Sequence, residues 1–213
     1  MNRQRRLIRP FKAGTMAFFA LALLGLIQTA SADHSRKYLK LDVAMIGQTF
    51  FDFEPHPDPA KAGVPPNGSP FVVQGWLYRG GTFEKFGNLS GVNADGSPEF
   101  PDRVVGKWIC RGWHLQDGDA LTGPVVVTTQ VFDFNPERPG SQTLVTDGIE
   151  LADFDVAFKR AVTGGTGAFK LARGEVVQTY VGFPNASGNF NSSFVLRLSQ
   201  AAKHLPLQFQ NGD

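Results

Sequence analysis

Cysteine occurs once in the 213 residues, at Cys110, so no disulfide can form within the chain. Stability has to come from a continuous apolar core. Histidine is nearly as scarce. His34, His56, His114 and His204 lie far apart without ligand spacing, so a zinc site has no support and no metal or other cofactor is expected. Acidic residues are missing from the first 32 positions: all 19 lie at or after Asp33, whereas five of the 21 basic residues precede it. Without that leader 16 basic residues face 19 acidic ones, a formal charge of −3 rather than +2. The sequence pI of 8.8 therefore belongs mostly to the leader, and no nucleic-acid partner is expected. Long apolar runs are absent too. The longest, residues 16–27, has twelve residues where a bilayer needs about 20.

That run belongs to a leader of three segments, residues 1–32. Arg3, Arg5, Arg6, Arg9 and Lys12 come first, then the apolar stretch, then Ala30-Ser31-Ala32, an A-x-A cleavage pattern that would release Asp33 as the new N-terminus. Arg5-Arg6 followed by Leu7-Ile8 faintly resembles a twin-arginine signal. The alternative is an uncleaved N-terminal anchor. The leader predicts a secreted or periplasmic protein with no membrane attachment after cleavage. Its mature region is then a single domain over 33–213 with a core at 41–198.

Helix-compatible composition is lacking in that region. It holds 22 Gly and 13 Pro, about 19% against a usual sum near 12%, which disfavours long helices. Sixteen Phe, three Trp and three Tyr supply the bulky side chains that strands favour. Alternation and turn signals predict eight strands, at 41–53, 71–79, 103–115, 124–134, 143–150, 155–162, 172–183 and 190–198. Turns separate them with no helical pattern between, which favours an all-β antiparallel barrel or sandwich. Heptads, fixed-period repeats and low-complexity tracts are all missing.

One segment is specific enough to suggest relatives. Val162-Thr163-Gly164-Gly165-Thr166-Gly167-Ala168-Phe169-Lys170-Leu171-Ala172-Arg173-Gly174 resembles the V-x-G-G-T-G-x-F-x-x-A-x-G signature of the allene oxide cyclase and dirigent superfamily. It falls between the sixth and seventh predicted strands, where that superfamily carries it. Val104-Val105-Gly106 is a weaker likeness to an earlier strand of the same barrel. The resemblance implies an eight-stranded antiparallel barrel, and this sequence departs from the plant members in its long 88–101 loop and its C-terminal tail. Read physically, Gly164, Gly165 and Gly167 permit positive φ and close backbone approach, Phe169 plugs the barrel end, and Gly174 makes room for a bulge. A phosphate loop is excluded by context, since neither Gly-Lys-Ser/Thr nor an amphipathic helix follows.

An eight-stranded barrel encloses either side chains alone or one small ligand. Trp108, Cys110, Gly112 and His114 share one strand face; Gln74, Trp76 and Tyr78 share another, as do Gln178 and Tyr180. Cys110 and His114 stand about 13 Å apart along one strand, too far for a nucleophile–base couple, and a lone cysteine is more often a buried hydrophobe. Asp117-Gly118-Asp119 reads as a turn rather than a calcium loop. Asn88, Asn185 and Asn191 head glycosylation sequons. Trp76, Tyr78, His114, Gln130, Tyr180 and Arg197 are the candidate ligand-binding residues, although alternation alone leaves open which face is inward, and each aromatic taken singly is as well explained as core. No catalytic residue is assigned. The resemblance implies a barrel that binds a small hydrophobic molecule and controls its cyclisation or coupling by orientation, an isomerase-like activity without cofactor if it is an enzyme. A non-catalytic carrier and a solid structural protein remain alternatives, and self-association into a homo-oligomer is left open.

N-terminal sequencing of secreted protein is expected to begin at Asp33; intact Met1 in membrane fractions would instead establish the anchor.

Overall fold

The computed structural model describes residues 37–46, 50–51, 54–87 and 90–198. The leader and its cleavage site, His34, His204, Asn88 and the C-terminal tail lie outside the described residues. Nine strands occur among those described: β1 Lys37–Met45, β2 Phe50–Phe51, β3 Pro70–Arg79, β4 Val104–His114, β5 Pro124–Asp133, β6 Thr143–Leu151, β7 Phe158–Gly165, β8 Gly174–Gly182 and β9 Asn191–Leu198. The single described α-helix, α1 Thr82–Phe86, has five residues. Among the described residues no helix is long and apolar enough to cross a membrane.

All neighbouring strands are antiparallel, in the order β1-β9-β8-β7-β6-β5-β4-β3, and β1 pairs back onto β3 from Leu41 opposite Arg79 to Met45 opposite Gly75. This closes an eight-stranded barrel. The predicted first strand is broken: it starts at Lys37, stops after Met45, and resumes as β2 on the same edge of β3. The other seven predicted strands agree with the structure to within three residues at each end.

Alternation sets the inside. On β4, Trp108, Cys110, Gly112 and His114 are buried while Ile109, Arg111 and Trp113 are exposed. One half of the interior is packed solid with aliphatic and aromatic side chains, including Leu41, Phe132, Leu196 and Phe194, with the Phe132 and Phe194 rings edge to face at 5.2 Å. Phe169 stops that end, fully buried with its ring 5.0 Å from Phe134. A ring of this size contributes roughly 2–3 kcal/mol by burial.

The glycine motif builds this stopper by the two means its sequence suggests, positive φ and close backbone approach, but Gly165 contributes only the second. Gly165 is outside the positive-φ region. It is glycine because a Cβ there would lie 2.2 Å from the Thr143 carbonyl oxygen and 2.8 Å from Phe169 Cβ. The left-handed backbone belongs to Gly167, at φ 56°. No register shift occurs at Gly174; the shifts near the motif fall between Val145 and Thr146 and between Tyr180 and Gly182. Gly174 is instead a close approach, with space for a Cβ closed by the Arg197 carbonyl at 2.0 Å.

Part of the β1–β3 wall, around Asp42, Ala44 and Tyr78, is buried on its outer face as well. The segment between β3 and β4 folds over its outside, forming a second cluster of Ala44, Tyr78, Phe83 and Val92. Asp42 anchors this cover by accepting the Thr82 amide at 2.6 Å and the Phe83 amide at 3.2 Å.

Gly165→Ala is expected to destabilise the domain by about 1–3 kcal/mol in denaturant titration, because backbone and not a flexible side chain must move. Gly182→Ala, whose Cβ would meet Asn191 at an ordinary 3.8 Å, is expected to stay within about 0.5 kcal/mol of the parent.

Candidate ligand-binding site

Towards the other end of the barrel the inward faces turn polar around one carboxylate. Glu150 projects inward near the end of β6, where Leu144, Thr146, Gly148 and Glu150 alternate with outward residues. On β7 the inward position between Phe158 and Val162 is Arg160. Arg160 Nη1 lies 3.1 Å from Glu150 Oε1, and both side chains are buried. Arg160 spends its remaining donors on the Thr128 carbonyl at 2.9 Å, Thr146 Oγ1 at 3.4 Å and the Gly148 carbonyl at 3.5 Å. Glu150 Oε1 also accepts from the Thr128 hydroxyl, from Gln130 Nε2 at 3.0 Å and from the Cys110 thiol at 3.7 Å. Its Oε2 accepts from Tyr180 at 2.6 Å and Gln178 at 3.1 Å. A buried carboxylate is tolerable only when charge-paired and hydrogen-bonded in this way.

This network borders a cavity of about 350 Å³. Trp108, Cys110, Glu150 and Tyr180 form part of its wall with Met45, Phe71, Val73 and His114. The mouth lies between the β4–β5, β6–β7 and β8–β9 connections, where Leu121, Phe154, Phe183 and Phe190 gather. Phe154 sits 5.8 Å from Tyr180 and 5.4 Å from Phe190, and Phe183 stacks at 4.8 Å from Phe190, centroid to centroid. Leu121 is 88% exposed and Phe183 58%, so the rim is apolar where it meets water. Lys61 reaches this rim from the segment between β2 and β3, donating to Asp117 at 2.7 Å and Asp119 at 3.1 Å. The Asp117-Gly118-Asp119 turn is thus clasped by an ammonium group. Lys61 and His56 hold the Asp117 carboxyl down at about 2.

Burial makes three of the cavity's titratable groups, Cys110, Tyr180 and His114, reluctant to ionise. It pushes the Cys110 thiol well up, with the Glu150 charge adding to the effect, so Cys110 is no thiolate nucleophile. It raises the Tyr180 phenol, again helped by Glu150, and lowers His114, which is neutral at neutral pH. Trp108 Nε1, His114 Nδ1 and Gln130 Oε1 are buried without a hydrogen-bond partner.

Of the six residues singled out by sequence, the structure brings His114 and Tyr180 to the cavity wall and Gln130 to the polar network beside it. The other three are elsewhere. Trp76 and Tyr78 lie on the outer face of β3, under the β3–β4 segment, where Trp76 Nε1 donates to the Gly96 carbonyl at 2.8 Å and the Tyr78 hydroxyl donates to that of Gly91. Their burial comes from this external cover. Arg197 points outward on β9, 47% exposed and 3.9 Å from Glu175. Sequence reasoning passed over Glu150, Arg160 and Thr128. The available signal was a charge of each sign on the apolar face of consecutive strands.

A larger cleft of about 710 Å³ runs outside the barrel along β9, α1 and the β8–β9 turn. Its buried carboxylate, Asp42, is already taken by backbone amides. The sequons at Asn185 and Asn191 are closed in the folded chain, Asn185 being bonded to the Met45 carbonyl at 2.9 Å and Asn191 to that of Ser90 at 2.9 Å.

No protein-family model and no curated protein matches the chain. Solved structures do. The pterocarpan synthase dirigent protein PsPTS1 superposes with a TM-score of 0.54 at 16% identity, covering 76% of this chain and 94% of its own. GePTS1, a second pterocarpan synthase dirigent protein, gives 0.52 at 15%, covering 76% and 83%. The fold is the dirigent barrel. At these identities the likeness is one of architecture. A pyocyanin demethylase aligns more loosely, with a TM-score of 0.47 at 14% identity over 76% of this chain and 99% of its own.

Arg160→Met is expected to cost this dirigent-type barrel about 3–5 kcal/mol in urea unfolding, because Glu150 is left as an unpaired buried charge. Adding Glu150→Gln should restore most of that loss, since the amide oxygen still accepts from Tyr180 and Gln178.

Proposed function

We propose that this is an exported barrel that binds a small hydrophobic molecule in its one-ended cavity and controls that molecule's cyclisation or coupling by holding it in one folded conformation. The observation that carries the reading is the cavity itself: about 350 Å³, aromatic at wall and rim, with a few polar side chains, Glu150, Tyr180 and His114 among them, set into the apolar lining. That volume is at the lower end of ligand pockets, and such a lining favours an apolar, largely unsaturated guest. The dirigent fold supports the same reading, two of the proteins that share it being pterocarpan synthases by name. Catalysis of this kind needs orientation more than reactive side chains. That suits a cavity whose thiol and phenol are held protonated.

A second reading, non-catalytic carriage, is favoured by the saturation of Glu150. Its two oxygens already accept six contacts, which leaves the carboxylate badly placed to take a proton from a guest. The cavity disfavours the third alternative, a barrel packed solid throughout.

An uncharged solvatochromic naphthalene dye is expected to bind saturably, one per chain, with blue-shifted emission. Ala152→Trp at the mouth should weaken it more than about tenfold while the melting temperature stays within a few degrees. The two readings then separate with a prochiral phenol and an added one-electron oxidant. Two phenoxyl radicals, each having given one electron and one proton to the oxidant and its medium, join through a new C–C bond. Enantiomeric excess dependent on the protein supports orientation; racemic product with binding intact supports carriage. A dye that fails to saturate overturns both.

A further inference from the structure

The outward faces of β4, β5 and β6 form a surface that the cavity does not use. Their ladders set residues side by side in rows, one from each strand. Ile109, Val131 and Val145 make one row, and Trp113, Val127 and Ile149 make another. Both rows are wholly apolar, with Trp113 56% exposed and Ile149 48%. Strand positions that face water in an antiparallel sheet are ordinarily polar. A contiguous apolar patch there marks an interaction surface.

The row between these two says which partner fits. It holds Arg111, Thr129 and Asp147, so one charge of each sign stands on either side of a central hydroxyl. Asp147 accepts from the Thr129 hydroxyl at 2.5 Å and the Thr163 hydroxyl at 3.0 Å, both neutral donors. Arg111 is exposed. Neither charge forms an ion pair among the described residues. A two-fold axis running along β5, between two facing copies, lays β5 over its equivalent and β4 over the β6 of the other copy. Arg111 then meets the partner's Asp147, and Asp147 meets the partner's Arg111. Ile109 lies over the partner's Val145, and Trp113 over the partner's Ile149. Facing sheets pack about 10 Å apart with their strands within about 30° of each other, which an arginine and an aspartate can span together. An axis across the strands would instead set Arg111 on the partner's Arg111. The patch is complementary to itself in one orientation, as an isologous contact requires.

We propose that this face joins two copies of the chain in a symmetric dimer, with reciprocal Arg111–Asp147 pairs across the contact. The inference is independent of what the cavity holds. With strands about 4.8 Å apart and same-face positions about 6.8 Å apart along each, the three rows cover roughly 14 Å by 20 Å. That is small beside a standard interface, so the dimer is expected at micromolar protein.

Sedimentation velocity of the full chain, from about 1 µM to about 300 µM, is expected to show a reversible monomer–dimer equilibrium. Arg111→Asp places like charges at both pairs, and so does Asp147→Arg. Each variant alone is expected to self-associate at least about tenfold more weakly than the parent. An equimolar mixture of the two puts opposite charges back at both pairs and should dimerise as the parent does. Melting curves identify the variants that fold. If Asp147→Arg does not, Arg111→Asp and the exposed-site variant Trp113→Glu decide, and both are expected to weaken the dimer. A parent that stays monomeric at every concentration overturns the inference, whatever else covers the face. A dimer indifferent to these substitutions overturns it too, as does a mixture of the two folded charge variants that fails to associate.

Discussion

Half of the barrel is organised around the carboxylate of Glu150. Four strands deliver a side chain to it: Cys110 from β4, Thr128 and Gln130 from β5, Arg160 from β7, and Gln178 and Tyr180 from β8, with Glu150 itself on β6 between them. Backbone ladders fix how neighbouring strands slide past one another, but this point of convergence fixes how the strands face each other across the interior. A shift of one residue in any of them would turn its contribution out to solvent and leave the carboxylate short of a partner. Buried ion pairs are rarely a net source of stability against well-packed apolar residues. Retaining this one is more readily understood as positional control: it sets the Tyr180 ring, the Cys110 sulfur and the walls of the cavity relative to one another.

The same network governs the chemistry. A carboxylate relieved of its charge by a guanidinium and surrounded by donors presents guests with a neutral surface. Burial pushes Cys110, Tyr180 and His114 towards their uncharged forms. The interior is therefore a largely apolar vessel with a few fixed dipoles, which is what the proposed role of orienting a guest asks of it.

Much of the architecture was legible in the sequence because barrel strands carry a period-two pattern strong enough to survive short turns. The grouping of Trp108, Cys110, Gly112 and His114 on one face of β4 was readable for that reason, while that this face is the inward one comes from the structure. The first strand and the β3 face were not legible. Where the β3–β4 segment packs against the outside of the wall, both faces are apolar, and alternation no longer marks the interior; Trp76 and Tyr78 carry aromatic character that belongs to the second, external cluster. Glu150 and Arg160 were hidden by the opposite effect. Each breaks the apolar pattern of its own strand, and only their adjacency across β6 and β7 turns two apparent interruptions into a pair. At Gly165 the residue type allowed either positive φ or close approach, and only the tertiary structure, which sets the Thr143 carbonyl beside it, shows that room is the demand.

Among the described residues Phe169 stops one end of the barrel, and the cavity opens at the other. On the proposed binding reading, a guest that enters there would have to back out along the path by which it came. The residence of whatever is inside would then set the tempo of exchange. A transformed guest that kept its grip on the walls would be its own inhibitor, whereas one reshaped to fit less well would clear the way for the next.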